Sequence, residues 1–137
     1  MKRLVLYDDL YEEITSSPKM NKFFTFGARK TSTSVIVISQ NPYSQSRFGV
    51  TIRRQMSYII CFPSKMDKHP IISLGRQICP SKPNWILKCL DILSEEEEDP
   101  TKIYILLDCH TSSRLNKALQ ARTNIFDDHP YFFVMSE

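Results

Sequence analysis

Two short apolar runs, each ending abruptly in a pair of polar side chains, constrain this sequence more than any other feature. Leu4-Val5-Leu6-Tyr7 runs into Asp8-Asp9, and Ser34-Val35-Ile36-Val37-Ile38-Ser39 runs into Gln40-Asn41. Segments of this length, rich in β-branched and aromatic residues, read as strands. A near-continuous apolar strand belongs in a parallel sheet buried on both faces, and such sheets bind ligands beyond the carboxyl ends of their strands. Asp8, Asp9, Gln40 and Asn41 sit at two such ends. They are the first candidate site residues.

The intervening and following residues alternate between helix and strand signals. Ser17 and Pro18 read as N-cap and first residue of a helix whose apolar face is Met20, Phe23, Phe24 and Phe26, with Gly27 as its stop. Asn41-Pro42 breaks the second strand. Ser57 to Phe62 is a third strand, and Pro70 starts a helix that Pro80 ends. Asn84 is a candidate cap for Trp85 to Leu93, where Ile86, Leu87, Leu90 and Leu93 keep helical spacing. The acidic segment 94–101 reads as an exposed loop. Ile103 to Leu107 is another strand, ending at Asp108, and Arg122 to Phe126 a short last strand or edge. This pattern predicts one α/β domain over 1–137, a central, mostly parallel sheet flanked by helices.

Composition excludes several classes. At 42% hydrophobic and 24% charged, the chain has the balance of a soluble globular protein. No apolar stretch approaches the ~20 residues needed to span a bilayer. Asp8 and Asp9 interrupt the pattern of a signal peptide, so an intracellular protein without a membrane partner is expected. Cys61, Cys79, Cys89 and Cys109 lack metal-ligand or disulfide-framework spacing and read as thiols in a reducing compartment. The net charge of +3 hides an asymmetry: residues 19–82 hold eleven Lys or Arg against one acid, Asp67. That basic middle is either a phosphate-facing surface or a solvated face balanced by acidic flanks.

The residues alone leave two readings of the strand ends. In one, Asp8 holds Mg²⁺ through water, Asp9 polarises an attacking water, and Gln40 or Asn41 contacts a γ-phosphate. Arg47, Arg53 and Arg54 lie just downstream, where one of them could act as an arginine finger or contact DNA. In the other, Asp8 and Asp9 cap the following helix and Gln40-Asn41-Pro42 is a turn. Lesser candidates are Asp108-Cys109-His110, a nucleophile pair or simply a strand end, and Tyr43, Phe48 and Tyr58, which could stack on bases or pack in core and loops.

Beyond single motifs, the ordered blocks Leu4–Leu10, Phe23–Tyr43, Thr51–Phe62, Ser73–Pro80, Lys102–His110 and Ala121–Phe126 resemble the C-terminal half of viral genome-packaging ATPases. These are the FtsK–HerA-type P-loop NTPases of poxvirus-like viruses, virophages, adintoviruses and Polinton/Maverick elements. The resemblance implies an incomplete P-loop fold from the Walker B strand onward. It places Asp8 and Asp9 at Mg²⁺ and water and Gln40 as sensor, and it marks Arg53 for inter-subunit or DNA contact. The intact parent would bind ATP and Mg²⁺, form a homo-oligomeric ring on double-stranded DNA and meet capsid proteins. Departures are Arg29-Lys30 where Arg-His or two histidines are commoner, Gln55 where Asn is usual, and the added charge of Arg54.

The largest departure concerns the phosphate-binding loop. Gly27, Gly49 and Gly75 are the only glycines, and none precedes Lys-Ser or Lys-Thr. A Walker A loop cradles phosphates with its backbone N–H groups and neutralises them with its Lys. No ATP turnover by this chain alone is therefore expected, and a truncation, an exon, a frameshift or an internal start is. The alternatives are a basic nucleic-acid-binding or self-association module, and a degenerate remnant with an exposed apolar sheet edge and face.

Overall fold

The first apolar run, β1 (Arg3–Asp8), lies parallel to β2 (Thr33–Ile38), in a computed structural model that describes residues 2–43, 46–109, 120–126 and 130–134. The chain folds into two compact units, Met1–Met56 and Ser57–Glu137.

In the first unit, β1 and β2 pair from Arg3↔Thr33 to Asp8↔Ile38. The crossover between them is α1 (Tyr11–Ser16), α2 (Pro18–Lys22), a π-helical turn over Phe23–Gly27 and α3 (Ala28–Lys30). Ser17 caps α2 as expected, its Oγ accepting the Met20 N–H at 3.4 Å, with Pro18 in the first turn. Gly27 does not stop the helix. Its φ is −68°, and the helical path continues to Lys30. Glycine is needed there for space, since a Cβ would lie 2.9 Å from Cδ2 of Phe23. Phe24 meets Tyr7 of β1 with ring centroids 6.4 Å apart, which ties the crossover to one face of the pair. The opposite face, Leu4, Leu6, Ile36 and Ile38, is about half exposed or more. A short helix, α4 (Gly49–Arg53), buries Ile52 completely; Tyr11, Ile14 and Thr15 of α1 are buried too.

The second unit corrects the expectation of a mostly parallel sheet. β3 (Tyr58–Cys61), β4 (Ile105–Asp108), β5 (Gln120–Thr123) and β6 (Tyr131–Val134) form a four-stranded sheet in that order, with every pair antiparallel. For β3 and β4 the reason lies in their connection, where the chain forms two helices, α5 (His69–Ile78) and α6 (Trp85–Glu96). One crossover helix returns a strand parallel, whereas a helical hairpin returns it reversed. β6 has no counterpart in the sequence reading. α6 also outruns the expected Leu93, so Ser94, Glu95 and Glu96 are helical and only the rest of the acidic segment is non-α.

The core of this unit follows from periodicity. Ile71, Leu74 and Gly75 on α5 and Ile86, Cys89, Leu90 and Leu93 on α6 are buried at spacings of three and four. The sheet contributes Cys61, Ile105, Leu107, Ala121 and Thr123. Fully burying a side chain such as Ile105 or Leu107 stabilises by about 1.5–3 kcal/mol. Among the described residues, no helix is long and apolar enough to cross a membrane.

Two expected outcomes test this packing. A Cβ on Gly75 would run into the backbone carbonyl of Pro83, which cannot rotate away. Gly75→Ala is expected to lose about 2–3 kcal/mol in denaturant unfolding. Burial, reinforced by Cys109, pushes the Cys61 thiol up to about 12; burial and then Cys79 push Cys89 up to about 11, partly offset by a backbone hydrogen bond. These raised values hold both groups neutral in the fold, a contribution fully present below the ordinary thiol range and lost as pH rises through 11 to 12. Alkylation at pH 8 is expected to be slow at both cysteines until the protein is unfolded.

Candidate functional site

The C-terminal ends of β1 and β2 bring the predicted residues together. Asp8 is the last residue of β1 and pairs with Ile38, so Asp8-Asp9 and Gln40-Asn41 leave adjacent strands at nearly the same level. The Asp9 N–H donates to the Ile38 carbonyl at 3.1 Å, a final rung beyond the ladder. Asp9 then turns into the left-handed region with φ 54°. Asp tolerates that region better than most residues, and backbone strain of this kind concentrates at functional sites.

The capping alternative does not describe this geometry. The N-cap of α1 is Leu10, and no side chain caps that helix. Asp8 and Asp9 are both exposed, and among the described residues no hydrogen bond or ion pair engages either carboxylate. The turn alternative holds for Asn41. Its Oδ1 accepts the Tyr43 N–H at 3.1 Å and closes a local turn. Gln40 is exposed beside it.

The three arginines have three environments. Arg47 is exposed, with its guanidinium 5.1 Å from the Phe48 ring centre. Arg54 is exposed. Arg53 turns inward from α4. Its Nη1 donates to the Tyr11 hydroxyl at 3.1 Å and to the Pro42 carbonyl at 2.6 Å, and its guanidinium lies 4.5 Å from the Tyr43 ring centre. Tyr11 and Pro42, with Thr15 behind Tyr11, therefore hold the strand-end loops, and the sequence reading missed them. Thr15 binds the Tyr11 carbonyl through its hydroxyl at 2.7 Å, and its own carbonyl accepts the Phe48 N–H at 2.9 Å. The one available signal was Tyr11, an aromatic two residues after Asp9 in a segment with a buried i, i+3, i+4 pattern.

A hard cation such as Mg²⁺ keeps several waters and needs one or two carboxylates plus phosphate oxygens. The open Asp8-Asp9 pair fits that requirement. Among the described residues no group of three or more His, Cys, Asp or Glu converges as a closed metal cage. Elsewhere, Cys109 has its thiol pushed up by burial and then by Asp108, which argues against a reactive nucleophile; His110 lies outside the described residues. Asp108 instead pairs with Arg122 at 3.6 Å.

No curated protein and no solved structure matches the chain. The family model described as poxvirus A32 protein matches residues 1–127, which covers both units almost to the end of the sequence. The strand-end carboxylates and the whole ordered set of blocks fall inside that match, and the chain belongs to the poxvirus A32 protein family.

Proposed function

We propose that this chain carries the Walker B and sensor segments of a viral DNA-packaging ATPase of the FtsK–HerA type. The observation that carries the reading is the Asp8-Asp9 pair: two exposed carboxylates at a parallel strand end, without a capping role and beside Gln40. Membership of a family of viral packaging ATPases supports it. In this reading Asp8 holds Mg²⁺ through water, and Asp9 takes up hydrogen bonding from the attacking water. Gln40 senses the γ-phosphate, while Asn41 keeps the sensor turn closed. Bound Mg²⁺ would supply charge neutralisation at the β- and γ-phosphates. The sequence holds no Gly-x-x-x-x-Gly-Lys-Ser/Thr, so turnover belongs to an intact parent whose Walker A loop completes the site. That parent assembles as a ring on double-stranded DNA, with capsid proteins as further partners, inside the infected cell.

The first test is the coding sequence upstream of the Met1 codon, where a strand followed by a Walker A loop is expected within one or two βαβ lengths. In a protein containing that loop, Asp9→Asn is expected to lower ATP turnover about 100-fold or more with nucleotide binding retained, as phosphate release and equilibrium binding report. Unchanged turnover would remove Asp9 from the chemistry.

A second reading is supported by one feature, the exposure of the basic middle. Lys19, Lys22, Arg29, Lys30, Arg47, Arg54, Lys65 and Arg76 are all exposed. A nucleic-acid-binding module would bind duplex DNA with an affinity that drops more than about tenfold between ~50 and ~200 mM salt. Asp8→Ala would leave that binding intact. Fluorescence anisotropy on labelled duplex, across a salt series, separates the two readings.

A further inference from the structure

We infer that Arg53 is an internal clamp that fixes the spacing of the two strand-end loops, and not a residue that reaches a neighbouring chain or DNA. One guanidinium is spent on both loops at once. Tyr11, whose hydroxyl it binds, follows Asp8-Asp9 at the end of β1, and Pro42, whose carbonyl it binds, follows Gln40-Asn41 at the end of β2. Its flat face rests on Tyr43, the next residue of the second loop. Tyr11 is only 3% exposed, so the hydroxyl it offers is an interior acceptor.

Arginine is required at such a place because its donors are fixed in a plane and its charge is permanent; lysine offers a single mobile ammonium. The surroundings are built around that plane. Gly49 is buried, and a Cβ there would lie 2.7 Å from the Ser46 hydroxyl and 3.2 Å from Arg53 Nη1. Arg53 Nε is buried with no hydrogen-bond partner among the described residues, and no carboxylate among them pairs with the side chain. The desolvated charge is compensated by a carbonyl, a hydroxyl and a ring face, which are the loops themselves. Releasing the guanidinium for contact outside would strip all three from a half-buried cation. The clamp rests on the proposed reading in that it makes Asp8, Asp9 and Gln40 one site; its geometry stands without it.

The test is residue-resolved amide exchange on the full chain. In Arg53→Ala the Asp9 and Tyr43 amides, which are bonded to the Ile38 carbonyl and to Asn41 Oδ1, are expected to exchange about tenfold faster or more, the loss of a hydrogen bond to a charged group. The β1–β2 ladder amides of Val5 and Tyr7 are expected to hold their protection. Tyr11→Phe, which keeps the ring and removes the acceptor, is expected to act in the same direction and to be non-additive with Arg53→Ala. Arg53→Lys is expected to rescue Tyr43 more than Asp9. Unchanged exchange at both amides, or a uniform rise along the ladder, would overturn the clamp. Paramagnetic broadening by Mn²⁺ reports on the underlying reading separately. Broadening centred on Asp8-Asp9 that Asp8→Ala abolishes supports the site, and its absence with the clamp intact would sink the site alone.

Discussion

The backbone register between β1 and β2 decides which polar side chains leave the first unit's strand ends together. Because Asp8 stands opposite Ile38, the two strands run out together, and their polar residues emerge side by side. Side chains alternate between faces with a period of two, so a slip by one residue would send Asp8 to the other face and break the Asp9–Ile38 rung. The ladder alone is a weak guarantee, since two strands are marginally stable by themselves. Here the crossover covers one face through Tyr7 and Phe24, and α4 ties the loops from the far end. Asp9 enters the left-handed region just after its N–H bonds the Ile38 carbonyl, at a cost of about 1–2 kcal/mol for a residue with a Cβ.

Each sheet has one covered face, half-buried in the first unit and buried in the second, and leaves apolar side chains exposed on the other. In the first unit these are Leu4, Leu6, Ile36 and Ile38, and in the second Tyr58, Ile60, Phe132 and Val134. Apolar surface of this kind, at strand edges that still offer unpaired N–H and C=O groups, marks either an interface or an aggregation hazard. It is also why the runs look alike in sequence to strands buried on both sides. The side chains are those of a fully enclosed sheet, but only half of them are enclosed within this chain. The antiparallel sheet moderates the effect on its open face with charge: Arg122 sits between Asp108 and the Phe132 ring, bound to both.

Element positions were largely readable from the residues, and topology was not. Apolar runs located β1 to β4, and Ser17-Pro18 and Pro70 located helix starts, because those signals are local. Strand direction is a count of reversals. Two helices between Phe62 and Ile103 were already visible, but the alternation of helix and strand was read as a parallel sheet, whereas β4 returns antiparallel to β3. β6 was legible too: Tyr131-Phe132-Phe133-Val134 is an aromatic and β-branched run bounded by Asp127, Asp128 and Pro130, a local strand signal that the sequence reading passed over. α4 was invisible for another reason: Gly49, Val50, Thr51 and Ile52 are poor helix formers, and burial of Ile52 holds them in place. At the site, the carboxylates and Gln40 were evident as strand-end polar residues, while Tyr11 and Pro42 were not. They act through a hydroxyl and a carbonyl brought within reach of an arginine some forty residues from one and eleven from the other.

The arginines show why spacing cannot assign an electrostatic role. Arg47, Arg53 and Arg54 share one segment and one charge, and motif position favours Arg53 for an outward contact. A finger must be solvent-facing before its target arrives and must gain more from that target than it gives up. Arg53 would give up two hydrogen bonds and a ring contact, and the loops it holds would lose their brace as it left. Arg54, the next residue, is exposed, and Arg47 would leave only an aromatic ring. The rotation of about 100° between successive helical residues thus separates an inward brace from an outward charge. Of the three, Arg54 and Arg47 already face solvent, whereas Arg53 is held by both strand-end loops.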